Sequence, residues 1–95
     1  MSYQKYLLKD EEVLEFEDKG YGLAIYLTNK RVLRIYTDLV ISIPLNKIIQ
    51  VTLTNSDTIH LTNGFSIIEY NFMPSDKKAQ RFATHLLELI CWNTM

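Results

Sequence analysis

Leu23-Ala24-Ile25-Tyr26-Leu27-Thr28-Asn29-Lys30-Arg31-Val32-Leu33-Arg34-Ile35-Tyr36 is the stretch on which the fold turns. Leu23, Ile25 and Leu27 alternate with Ala24, Tyr26 and Thr28. A period of two is the spacing of a strand that turns one face to a core. Asn29-Lys30 interrupts the alternation. Asn tolerates a positive φ, so this pair suits a two-residue turn. In the strand that follows, Leu33 and Ile35 are expected on one face, and Val32, Arg34 and Tyr36 on the other. The stretch reads as a β-hairpin.

The pattern repeats on both sides. Val13 to Glu17 carries β-branched and aromatic residues, and Asp18-Lys19-Gly20 is expected to end that strand. Beyond the hairpin, Leu39, Ile41 and Ile43 alternate with Val40 and Ser42 until Pro44 stops the strand. Ile49, Val51 and Leu53 make a fifth strand, closed by Asn55-Ser56-Asp57. Ile59 and Leu61 make a sixth. Asn63-Gly64 predicts a type I′ turn, which needs φ > 0 at both central residues. Phe65 to Phe72 is the seventh strand; the adjacent Ile67 and Ile68 leave its facing open.

At Pro74 the period changes from 2 to 3.6. Ser75 or Asp76 can cap a helix start. Ala79, Phe82, Ala83, Leu86, Leu89 and Ile90 follow as one apolar stripe. A helix over residues 76–92 would be about 25 Å long. The expectation is a mainly β single domain over residues 1–95, with strands at about 13–72 and one C-terminal helix. Tyr3 to Leu8 would form a short helix or an irregular cap.

Composition narrows the function classes. The 95 residues fit one domain, and 47% of them are apolar, enough for a core. Ten Lys and Arg stand against eleven Asp and Glu, a net charge of −1. That balance argues against a nucleic-acid partner. No apolar run approaches the roughly 18 residues needed to cross a bilayer. The polar N-terminus does not read as a signal peptide. Cys91 is the single cysteine, so no intramolecular disulfide can form and a cytoplasmic location is expected. Cys91 itself is expected to be a small buried hydrophobe.

Three motifs resemble a known family. Gly22 to Leu33 is similar to the strand, Thr-Asn-Lys-Arg, strand hairpin of bacterial pleckstrin-homology (PH) and GRAM domains. Ser42-Ile43-Pro44-Leu45-Asn46-Lys47-Ile48 resembles the entry to their fifth strand. Asp10-Glu11-Glu12-Val13-Leu14 resembles the acidic lead-in to their first. The resemblance implies a PH-like seven-stranded antiparallel barrel capped by one C-terminal α-helix. It does not imply a function.

No catalytic constellation is visible, and neither a metal nor a cofactor is expected. His60 and His85 read as surface residues without ligand spacing. Glu11-Glu12 and the Glu15/Glu17 pair read as solubilising charges, and the three glycines fall in turns. In lipid-binding relatives the first, third and sixth interstrand loops hold the headgroup. Here those loops offer one lysine against two aspartates, which disfavours a phosphoinositide. Lys77, Lys78 and Arg81 at the helix start are a candidate anion site. Tyr26, Val32, Arg34, Tyr36 and Val40 are a candidate interface, expected as an exposed aromatic strip. The competing account has Tyr3, Tyr6 and Leu7 folding back over that strip. The function expected is a non-catalytic protein-interaction module that binds itself or another protein. The alternative is a peripheral lipid-headgroup binder.

Overall fold

A computed structural model describes residues 6–74 and 77–94, with side chains described as far as Cys91. Seven strands precede one helix: β1 Val13–Gly20, β2 Leu23–Thr28, β3 Arg31–Tyr36, β4 Leu39–Pro44, β5 Gln50–Thr54, β6 Thr58–Thr62, β7 Ile67–Asn71 and α1 Lys78–Thr94. A single 3-10 turn, Leu45–Lys47, separates β4 from β5. The strands form two antiparallel sheets, sheet A in the order β1-β2-β3-β4 and sheet B in the order β5-β6-β7. The mainly β architecture closed by a C-terminal helix is therefore as the periodicity indicates.

The facing of the central hairpin is not. The two-residue turn sets Leu27 opposite Val32, Tyr26 opposite Leu33 and Ile25 opposite Arg34. Residues directly opposite in an antiparallel pair share a face. Val32 and Arg34 thus lie on the face of Ile25 and Leu27, and Leu33 and Ile35 lie with Ala24 and Tyr26. Both faces are buried. Ile25, Leu27, Val32 and Ile43 join Ile59, Leu61, Ile68, Phe72 and the helix stripe in the main core. Ala24, Tyr26, Leu33 and Ile35 form a second cluster on the opposite face, where Tyr6, Val13 and Val40 pack on it.

Helix α1 starts at Lys78; the capping residues Ser75 and Asp76 lie outside the described residues. Ala79, Phe82, Ala83 and Leu86 are buried, while Leu89 and Ile90 pack against the same core partly exposed. Cys91 is exposed, contrary to expectation, because it falls off that stripe near the helix end.

Polar groups join the two sheets. The Glu17 carboxylate on β1 accepts from the Tyr70 hydroxyl at 3.0 Å and from the Met73 N–H at 3.3 Å. Burial, followed by the Glu17 charge and hydrogen bond, pushes the Tyr70 hydroxyl well above its ordinary pKa, so it stays a donor. Arg34 on β3 donates from Nε to the Glu69 carbonyl at 3.3 Å, and from one terminal nitrogen to the Ala24 and Ile35 carbonyls at 3.1 and 2.8 Å. Its guanidinium lies 3.8 Å from the Tyr36 ring centroid and 4.5 Å from that of Tyr70. Lys19 donates to the Asn71 carbonyl. The edge of β7 is thus occupied by side chains from sheet A, which blunts it against pairing with a foreign strand.

Two turns depart from expectation. Strand β1 runs through Asp18-Lys19 to Gly20, and the reversal falls at Tyr21-Gly22. Gly22 has φ +76°, and a Cβ there would meet the Thr37 Cα at 2.7 Å. The close approach lets the Thr37 N–H donate to the Gly22 carbonyl at 2.7 Å, tying the β1–β2 and β3–β4 turns together. Between β6 and β7, Thr62 pairs with Ile67, so Asn63 to Ser66 form a four-residue loop in place of a type I′ turn. The reason is local. Asn63 Oδ1 accepts from the Phe65 and Ser66 N–H groups at 2.9 and 2.7 Å, and Thr62 Oγ1 donates to the Ser66 carbonyl at 2.7 Å. These side chains hold the wider loop closed.

The N-terminal segment is fastened to the β2–β3 turn. Glu11 accepts from Arg31 through two nitrogens at 2.8 and 2.9 Å, from Thr28 Oγ1 at 2.6 Å and from the Leu8 N–H at 2.8 Å. Asn29 accepts from the Glu12 N–H at 2.9 Å and donates to the Asp10 carbonyl at 3.1 Å. Thr28, Asn29 and Arg31 therefore form a socket for the acidic lead-in. Burial raises the Glu11 pKa, but the hydrogen bonds and the Arg31 charge outweigh it and hold the carboxyl below its ordinary 4.5. A depressed folded pKa gives stability that is complete above the unfolded value and is lost as pH falls through the folded one. The urea midpoint is therefore expected to drop as pH falls below 4.5, and Glu11→Gln is expected to flatten that part of the profile. An unchanged profile in the variant would remove Glu11 from the account.

Candidate functional site

The five residues of the expected strip do not form one exposed surface. Tyr26 is 1% exposed and shares the outer face of sheet A with Val40; Val32, Arg34 and Tyr36 lie on the inner face. Val32 and Arg34 are buried, and only Tyr36 and Val40 are partly accessible. The competing account agrees with the structure as far as Tyr6, which packs on the cluster that contains Tyr26. Tyr3 lies outside the described residues. The strip divides between two faces because facing follows the cross-strand register that the turn imposes, which alternation within a single strand does not contain.

The cations at the helix start are partly brought together. Lys77 and Arg81 line a groove of about 500 Å³ between β1 and α1, with Gln80, Thr84 and His85. Lys78 is not part of its lining. Two carboxylates, Glu15 and Glu88, share the groove, and Glu15 Oε2 is held 3.0 Å from His85 Nδ1. The groove is therefore mixed in charge rather than a cationic cradle. His60, on the surface of sheet B, sits 3.1 Å from Glu69 across β6 and β7. Among the described residues no group of three or more His, Cys, Asp or Glu is placed to hold a metal ion. Among the described residues no helix is long and apolar enough to cross a membrane.

The surface that stands out is one end of sheet B. Strand β7 alternates Ile68 and Tyr70 inward with Ile67, Glu69 and Asn71 outward. Ile67 is 66% exposed while its neighbour Ile68 is fully buried. Phe65, held out by the Asn63 loop, is 97% exposed. Ile49 reaches the same end: its N–H donates to the Thr62 carbonyl at 2.9 Å, and its Cδ1 lies 3.5 Å from the Cβ position of Gly64. Ile49 is 72% exposed. Three large apolar side chains thus surround the β6–β7 loop. They expose on the order of 400 Å² together, within the range of patches that mark contact surfaces.

A shallow groove of about 360 Å³ runs from this end across the outer face of sheet B. Its lining includes Gln50, Thr52, Thr54, His60, Thr62 and Ile67. The cross-strand sets Gln50–Thr62–Ile67 and Thr52–His60–Glu69 order this face into rows. The site is an apolar end with a polar, mostly uncharged floor beside it. It holds no arrangement of nucleophile, base and orienting group. Compared with protein-family models, curated proteins and solved structures, the chain matches none.

Proposed function

We propose that this protein is a non-catalytic interaction module on a PH-like barrel, and that it self-associates through the Ile49, Phe65 and Ile67 end of sheet B. The observation that carries this reading is Phe65, an aromatic side chain held almost wholly in solvent by a loop with its own internal hydrogen bonds. An aromatic anchor at the centre of a contact is where binding energy concentrates. A standard interface covers about 800 Å² per partner. The three apolar side chains supply about half of that, and the threonine-rich floor suits the polar rim. A two-fold pairing would set Phe65 of one copy against Ile49 and Ile67 of the other, a self-complementary contact. The seven-strand, one-helix order and the sheet-to-sheet bridges from Glu17 and Arg34 support the barrel reading.

Sedimentation velocity tests the contact. Phe65→Ala is expected to weaken self-association by about 2 kcal/mol, roughly 30-fold in the dissociation constant. Its thermal stability should stay close to that of the parent, since the ring leaves no core contact. A variant that associates as strongly as the parent would move the interface elsewhere.

A second reading, contact with an anionic lipid surface, rests on charge. Between Leu39 and Ile68 the only carboxylate is Asp57, which lies in the β5–β6 turn at the far end of sheet B. Lys47 precedes Ile49 in the 3-10 turn. Liposome sedimentation separates the readings, since a lipid contact would carry the protein down with phosphatidylserine vesicles and a purely protein contact would not.

A further inference from the structure

The face of sheet A that carries Ala24, Tyr26, Leu33 and Ile35 is an apolar surface covered from within the chain. Tyr6 packs on it, and Arg31 Nη2 donates to both the Tyr6 carbonyl and Glu11 Oε1, while its Nε donates to Glu11 Oε2. Between those two points the chain reverses through a tight turn. The Glu11 N–H donates to the Leu8 carbonyl at 3.1 Å, with Asp10 at φ +64°. A positive φ at the third position of a turn is suited to Gly or Asn. Asp tolerates it at a cost, so the reversal that keeps Tyr6 on its own copy is the strained part of the arrangement.

We propose that this seat also accepts the Tyr6 segment of a second copy, with Lys9-Asp10 as the hinge. The contacts on the seat are the same whether the segment comes from the same copy or another: Tyr6 on the Tyr26–Leu33 cluster, and its carbonyl on Arg31. Exchange gives up the Leu8–Glu11 turn, which holds the unfavourable backbone at Asp10, together with the Leu8 N–H bond to the Glu11 carboxylate, and it moves the Asp10 carbonyl that accepts from Asn29. Short hinges under strain favour exchange of the element they carry. This contact is on sheet A and is independent of the Phe65 end of sheet B. Exchange would therefore give the chain two separate means of contacting its own kind.

The test alters the hinge in both directions, in full-length chain carrying Phe65→Ser and Ile67→Ser so that the sheet B end does not contribute. Asp10→Pro cannot adopt φ +64° and excludes the reversal. It is expected to be a dimer by light scattering. In a mixture of isotope-labelled and unlabelled copies it should show intermolecular contacts between Tyr6 and Leu33. Asp10→Gly relieves the turn and should shift the monomer–dimer constant about tenfold toward monomer. A monomeric Asp10→Pro chain overturns the proposal, whether Tyr6 is displaced or still seated. So does a dimer whose Tyr6 contacts all remain within one copy.

Discussion

Phe82→Ala is expected to lower the unfolding free energy by about 3–5 kcal/mol, the range for emptying a fully buried aromatic site. Phe82 is 1% exposed, and its ring centroid lies 5.4 Å from that of Phe72, which in turn meets Tyr70 edge-on at 4.8 Å. The three rings connect α1 to the end of sheet B, where no strand pairing holds the helix. Removing the helix end of that contact leaves a cavity that the β-sheet backbone cannot close by collapsing, so the cost should fall at the upper end. Urea unfolding measures it. A loss below about 1 kcal/mol would mean the helix stripe is not part of the core.

Arg34→Ala is expected to cost about 2–4 kcal/mol, because it removes charge-assisted hydrogen bonds to three carbonyls and a cation between two aromatic rings. The Ala24, Ile35 and Glu69 carbonyls would lose that donor in a site that Arg34 itself keeps closed. Arg34→Lys should recover little. A single ammonium cannot reproduce a fork that reaches β2, β3 and β7 together. Full recovery by lysine in urea unfolding would show that charge alone, not the geometry of the guanidinium, joins the sheets.

How much of this could be read from the residues varies by level. The strands, the helix and their order follow from the periodicities of 2 and 3.6, which depend only on neighbouring residues. Facing depends on pairing. Tyr26, Val32 and Arg34 were expected outside because β2 and β3 look one-sided when read separately. In fact β2 is covered on both faces, by the main core and by Tyr6. The buried Arg34 reads as an exposed charge, since the Glu69 carbonyl that receives it lies 35 residues away and the Tyr70 ring lies one residue beyond that. The candidate site had a signal that was open to reading. Ile68, Tyr70 and Phe72 alternate cleanly, and accepting that alternation leaves Ile67 outside with Phe65 two residues before it. What obscured it was the Asn63-Gly64 pair, which suggests a tight turn. The Thr62 and Asn63 side chains instead sustain a four-residue loop. The Thr-Asn-Lys-Arg motif gains a physical role, as the socket for Glu11 and Glu12.

The self-association of the chain is tested most directly by multi-angle light scattering of the unmodified protein from low to high micromolar concentration, alongside Phe65→Ala. The mass is expected to rise toward twice the 11.1 kDa chain mass, with the Phe65→Ala curve displaced to roughly 30-fold higher concentration. A mass of one chain throughout the range would contradict it.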